Sequence, residues 1–365
     1  MVEGGIVVPL SVSTTMATDI LVSADDLIRF GHEILVRVGV PEDDARTVAT
    51  ILVEANLRGI DTHGIYLINL YSKRIEEGLI NPTPNITFEK TRAATGIMDA
   101  DTAMGQLSTL GAMNHAITLA KECGSGTVLV KRSTHFGAGA YYTNHAAERD
   151  MIGVLMSQSE TDVLLFGGKK PYLGTNPYSV AIPAGKHPPF VMDMATSEVA
   201  FGKVRAAAEA GQTIPPNWAV DENGEPVTDA AKARAVTPMA GAKGYAIGLM
   251  IELLSSATTG MAFGPGVVRK FDDWENPQQL GHYVQAIDPS AFCDANQFKD
   301  RVDSVIEEIH SQPTAEENPY GSPLIPGEPE FGERRRRMEE GCPVSGTIAA
   351  QLEELGKKYG IRWPN

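Results

Sequence analysis

Cysteine is scarce: there are three in 365 residues, Cys123, Cys293 and Cys342. They lie too far apart for a Cys-x-x-Cys metal or redox pair and read as isolated reduced thiols. No other grouping has metal-ligand spacing, so no metal is expected. Positive charge is also in short supply, with 31 lysines and arginines against 46 acidic residues, a formal net charge of −15 and a pI near 5.0. Nucleic acid is held by cations set against its phosphates, so this balance excludes it as the main partner. No apolar run approaches the ~18 residues needed to cross a bilayer, and the longest, residues 245–254, carries Glu252. Near the start, Glu3 stands where a signal peptide carries positive charge. Residues 1–21 read as a flexible extension, and a cytoplasmic location is expected. Two catalytic signatures are missing as well. There is no Gly-x-Ser-x-Gly nucleophile elbow. Cys123-Gly124-Ser125-Gly126 precedes a strand instead of following one, so the usual Gly-x-Gly-x-x-Gly dinucleotide fingerprint is absent.

What is present is an ordinary globular composition, 42% hydrophobic and 21% charged, in a chain long enough for a large core in two lobes. Ser23, followed by Asp25 and Asp26, predicts a capped helix running to Val38. Pro41 opens a second helix, with Ala45, Val48, Leu52 and Ala55 at helical spacing. After the polar turn Gly59–Gly64, which holds His63, a third helix runs from Ile65 to Glu77. Residues 87–101 read as extended and 108–123 as helical. Residues 215–237 read as a turn-rich surface excursion, and 245–258 as a buried helix. Asn296 is the expected cap of a helix to Ile309, and 312–332 an ordered arm. Arg334–Arg337 read as a solvated helix face, and 347–359 as a last helix, capped by Ser345.

The centre of the chain is Gly126–Ser159. A β-branched run (127–130), a small-residue helix (137–149) and an apolar run (151–156) predict a strand–helix–strand unit with its strands paired in parallel. His135 falls in the loop after the first strand, and Ser159 just after the second. Functional groups in α/β units collect at such carboxyl ends. Gly174 and the small residues after Asp193 would let a flat ligand approach the backbone, although a turn chosen for geometry alone explains them equally. Lys243 opens a helix whose dipole opposes its charge, which makes sense if an anion sits there; a lysine extended to water is the other reading.

Six short motifs then recur in a familiar order: Asp61-Thr62-His63-Gly64, Thr134-His135-Phe136-Gly137, Gly174-Thr175-Asn176-Pro177, Asp193-Met194-Ala195-Thr196-Ser197, Gly241-Ala242-Lys243-Gly244-Tyr245 and Pro326-Gly327-Glu328. The chain resembles the malate/L-lactate dehydrogenase family, over residues 22–350. Members include ureidoglycolate and sulfolactate dehydrogenases, diketogulonate reductases and piperideine-carboxylate reductases. The resemblance implies a non-Rossmann α/β fold of mixed sheet domains with surrounding helices. It further implies a homodimer and hydride exchange between a nicotinamide cofactor, NAD or NADP, and a small 2-oxo or 2-hydroxy acid. A cofactor domain would span 126–279, and a helical, substrate-facing and dimer domain 22–125 plus about 280–365. His135 matches the proposed acid/base, with His63 beside it; an imidazole exchanges protons near neutral pH. Thr62, Tyr71, Thr175 and Asn176 are expected at the substrate. Ser159, Gly174, Asp193, Met194, Ala195, Lys243, Gly327, Glu328 and Pro329 are expected at the dinucleotide.

One departure stands out. The family commonly carries an arginine four residues after the first histidine, facing the substrate carboxylate, and here that residue is Leu67. Either Lys73 or Arg74 takes over, or the pocket is more apolar and the substrate less anionic than malate. Three other functions compete: a cyclic-imine or N-alkyl-imine reductase on the same scaffold, a non-catalytic dinucleotide-binding relative, and a hydrolase using Ser159 with His135.

Overall fold

The structure is a computed structural model that describes residues 19–364. Residues 1–18 of the expected extension lie outside the described residues. Its last part is not loose chain, because Ile20–Val22 form a strand. In chain order the elements are β1 (Ile20–Val22), α1 (Ala24–Arg37), α2 (Glu42–Leu57), α3 (Ile68–Glu76), β2 (Thr87–Arg92), β3 (Thr95–Asp99), α4 (Gly105–Cys123), β4 (Ser125–Ser133), α5 (Ala140–Ala147) and β5 (Ile152–Ser157). Then follow β6 (Thr161–Leu164), β7 (Pro171–Gly174), β8 (Tyr178–Ile182), β9 (Phe190–Met194), α6 (Phe201–Glu209), β10 (Ala219–Val220), β11 (Pro226–Val227), β12 (Ala235–Val236) and α7 (Ala242–Glu252). The chain closes with β13 (Leu280–Ile287), α8 (Ala295–His310), α9 (Glu328–Glu340), β14 (Cys342–Val344) and α10 (Gly346–Tyr359).

A seven-stranded mixed sheet in the order β2-β3-β4-β13-β5-β8-β9 carries the molecule. The strands β4 and β5 do run parallel, but they are not hydrogen-bonded to each other. β13 lies between them, antiparallel to both, with His282 opposite Val130 on one side and Ser157 on the other. Its Val284 and Ala286 are wholly buried, in a core shared with Ala112, Ala116 and Val128. No local pattern signals that a strand 120 or more residues away will insert there. The sequence boundaries at 126 and 280 consequently fall within this sheet.

Residues 215–237 are not a surface excursion. They supply β10, β11 and β12 to a second sheet, β11-β10-β12-β6-β7, over its own core of Val163, Leu173, Val204, Ala219 and Val236. The helices α1, α2, α3 and α10 enclose a third core around Leu27, Phe30, Ile34, Leu52, Leu352 and Trp363. No helix among the described residues is long and apolar enough to cross a membrane.

Several ends move relative to the sequence reading. Asp294, not Asn296, caps α8, accepting from the amides of Asn296 and Gln297. The expected arm 312–332 turns helical at Glu328, once Gly327 has adopted φ +99°. The helix read as buried passes from α7 into a wider turn at Leu253–Ala257, leaving Met250 and Leu253 43% and 53% exposed. Among the four consecutive arginines, Arg337 is not solvated but buried.

Candidate active site

His135 sits in the loop that leaves β4, held from three sides. The Thr134 hydroxyl accepts from Gly105 N and donates to the Ala103 carbonyl, both at 3.0 Å. The Tyr142 hydroxyl donates to the Phe136 carbonyl at 2.6 Å. His135 N donates to Gln278 Oε1 at 3.2 Å. Gly105 permits the close approach of α4, since a Cβ there would stand 2.2 Å from the Thr134 carbonyl oxygen.

His63 comes from the turn between α2 and α3. Asn56 holds that turn by donating to Asp61 and accepting from Ile65 N, both at 2.7 Å. Its side chain occupies the space a Cβ on Gly64 would need, which explains the His-Gly pair physically. The two imidazoles lie 5.6 Å apart, nearly parallel. Tyr71 rises from α3, with its hydroxyl 2.7 Å from His135 Nδ1, and Gln106 Nε2 donates to that hydroxyl at 3.1 Å. Thr62 is exposed and pairs with its neighbour His63 at Nδ1, 3.0 Å away.

Burial, with the charge of Lys270 adding to it, pushes His63 down to about 4 and His135 well below its ordinary value. Both rings are therefore neutral at neutral pH. Burial raises the Tyr71 phenol, which keeps its proton.

A second group gathers at the ends of β5, β7 and β9. Ser159 N donates to Asn176 Oδ1 at 3.1 Å, and the Ser159 and Thr175 hydroxyls stand 3.2 Å apart. Asn176 is wholly buried with φ +33°, and donates to the carboxylate of buried Glu252 at 2.7 Å. Gly174 lets these strands meet, because a Cβ would fall 2.3 Å from the Ser159 carbonyl oxygen. Met194 ends β9 here and Ala195 follows it, and Thr196 N donates to the Thr175 carbonyl at 2.9 Å.

The remaining expected residues lie on β9 and at the starts of α7 and α9. The Asp193 carboxylate accepts from Ala140 N at 2.7 Å, capping α5, and burial raises it to about 6. Lys243 is exposed on the first turn of α7. Gly327 packs on Val191 of β9, while Glu328, which Pro329 follows, pairs with His310 at 2.8 Å.

The two groups are joined by residues that sequence reasoning did not single out. Glu160, buried directly after Ser159, accepts from Gln278 Nε2 at 3.1 Å, and Gln278 in turn holds His135 N. Lys270 pairs with the same carboxylate. Two buried oxygens along this seam, Gln106 Oε1 and Gln158 Oε1, have no hydrogen-bond partner, an arrangement that suits a bound polar molecule. The hydroxyls and amides around Ser159 and Thr175 fit a dinucleotide in donor and acceptor type.

The family described as malate/L-lactate dehydrogenase matches residues 22–353. The chain belongs to this family. The L-sulfolactate dehydrogenase of Methanothermobacter thermautotrophicus is 35% identical over 345 residues, 93% of this chain and 97% of that protein. The ureidoglycolate dehydrogenase (NAD(+)) of Escherichia coli K12 is 34% identical over 331 residues, covering 91% and 94%. The crystal structure of malate dehydrogenase from Entamoeba histolytica superposes with a TM-score of 0.89 at 29% identity, covering 95% of this chain and all of that one. This member of the malate/L-lactate dehydrogenase family is an oxidoreductase with the family's α/β fold, and dehydrogenases of the family use nicotinamide cofactors.

In this family member Leu67 is not a pocket wall. It is 1% exposed and packs in the helical core. Arg74 does not replace an arginine at that position either, since its guanidinium donates to the carbonyls of Lys270, Asp273 and Asn276. Lys73 lies over the Trp274 ring, 3.7 Å from its centroid.

Proposed function

We propose that the protein is an NAD-dependent dehydrogenase of small 2-hydroxy acids, with His135 as the acid/base. The observation that carries this is the 2.7 Å contact between the Tyr71 hydroxyl and His135 Nδ1 on a ring held neutral. A hydroxyl can serve either tautomer. It donates to a bare Nδ1, or accepts from Nδ1–H while turning its own hydrogen to the His135 carbonyl, 3.5 Å away. Nδ1 thus stays partnered in both directions, and Nε2 is left to exchange the proton with substrate. In oxidation the neutral ring takes the proton of the substrate hydroxyl; in reduction it returns one to the alkoxide oxygen. Bound nicotinamide would accept or supply the hydride at the same carbon. His63, stacked beside His135 and also neutral, presents a second polar edge to substrate without adding charge. NAD is proposed over NADP on the name of the ureidoglycolate relative.

The test is His135→Ala, assayed for turnover and for dinucleotide binding by quenching of tryptophan fluorescence. Turnover should fall by roughly 10²–10⁴-fold while quenching is retained. Undiminished turnover would remove His135 from the chemistry. Cyclic imines in the substrate panel separate the imine-reductase reading.

A further inference from the structure

The carboxylate of a 2-oxo acid needs a cation beside His135, and the candidates near the site differ in what already occupies them. Arg74 is consumed by three main-chain carbonyls, one of them the carbonyl of Lys270 itself. Arg269 is held by the Thr161 carbonyl, Asp162 and Asp272. Lys73 is exposed and lies over the half-buried Trp274 ring. Lys270 remains. Its side chain is 14% exposed, and the ammonium pairs with one oxygen of buried Glu160 and stands 5.0 Å from the Phe271 ring centroid. The other oxygen of Glu160 is bound by Gln278, which holds His135 N. Lys270 is thus two hydrogen-bonded side chains from the His135 backbone, and close enough for its charge to help keep both imidazoles neutral.

We propose that Lys270 receives the substrate carboxylate, on a loop that Arg74 positions, and that its pairing with Glu160 selects monocarboxylate over dicarboxylate substrates. This rests on the 2-hydroxy acid reading above. An ammonium has three hydrogens, of which Glu160 takes one, so a carboxylate can be accepted without breaking the pair. Glu160 also cancels the charge of Lys270. One incoming carboxylate then leaves a single uncompensated negative charge in a largely buried site, and a second carboxylate adds another at a steep cost.

The experiment compares wild type, Lys270→Met and Lys270→Arg, each saturated with NADH, on pyruvate and oxaloacetate. Wild type should prefer pyruvate in kcat/KM. Lys270→Met should raise KM for pyruvate by roughly 10–100-fold, as for loss of a hydrogen bond to a charged group, with kcat less affected and NADH quenching unchanged. Lys270→Arg should recover part of the KM. Removing the ammonium should also move the ionisation seen in kcat/KM to higher pH, since its charge helps keep the imidazoles neutral; that shift reports the charge of Lys270, and the KM for pyruvate reports its contact with the carboxylate. An unchanged KM for pyruvate in a folded Lys270→Met, or a wild-type preference for oxaloacetate, overturns the proposal. If wild type reduces no 2-oxo acid, the functional reading itself has failed, and the assignment of Lys270 falls with it.

Discussion

Arg337 Nη1 donates to the Asn56 carbonyl at 2.7 Å and to the Asp61 carboxylate at 2.8 Å, tying α9 to the turn that presents His63. Only 1% of its surface is exposed, and Glu333 completes the cluster from one helical turn away. The tie spans 276 residues of sequence. It gives the C-terminal part of the chain a direct hold on the active site.

Replacing Arg337 with Met should therefore have two effects. Its carboxylate partners keep access to water, so the loss is that of hydrogen bonds to a buried guanidinium, about 1–3 kcal/mol, to be read from urea unfolding. Activity should fall further than the loss of folded protein explains, because His63 loses its anchored turn; kcat/KM normalised to folded enzyme measures this. Normal kcat/KM would mean that Asn56 holds the turn alone.

The His282 ring, wholly buried, bridges Ser133 and Ser157, with each hydroxyl 2.8 Å from a ring nitrogen. Burial lowers it to about 3 from an ordinary 6.5. Between those values the unfolded chain binds a proton that the folded chain refuses, so stability falls as pH drops below 6.5. The slope from this one residue is about 1.4 kcal/mol per pH unit. His282→Gln keeps polar partners for both serines and has nothing to titrate. Urea unfolding at pH 7 and pH 5 should show a smaller acid loss in the variant. Equal losses in both proteins would place the acid sensitivity elsewhere.

Met250 and Leu253 stand three residues apart along one helical path, and Phe166 reaches the start of the same helix at Gly241. All three are more than 40% exposed. The family resemblance implies a homodimer, and we propose that the exposed side chains of this helix lie in the contact between the two copies of the chain. A Met250→Glu/Leu253→Lys pair should shift the mass measured by light scattering from dimer to monomer. A wild-type mass of one chain would rule the contact out.

Much of the local structure was legible in the chain. Ser23 and Ser345 do cap α1 and α10, each accepting an amide of its first turn, because capping needs only a hydroxyl and its next few residues. His135 and Ser159 were placed at strand ends for a similar reason, since a β-branched run and an apolar run, each followed by polar residues, are local patterns. Arg337 was misread because a run of arginines looks alike whether water or a carboxylate meets it. Asp193, near the end of β9, makes a contact that no local pattern signals: its carboxylate caps a helix that begins 53 residues earlier.

The amino-acid order was sufficient for the helix ends, the strand ends and the family, because each rests on near-neighbour geometry or on motif order. Tertiary structure alone decided that β13 separates β4 from β5, and that Leu67 faces the core. It also brought Lys270 and Gln278 to Glu160 and His135 from across more than a hundred residues. The physical reason is that burial and pairing are properties of the assembled chain: the charge of Lys270 acts on His135 only once the loop after α7 has folded back against the end of β4.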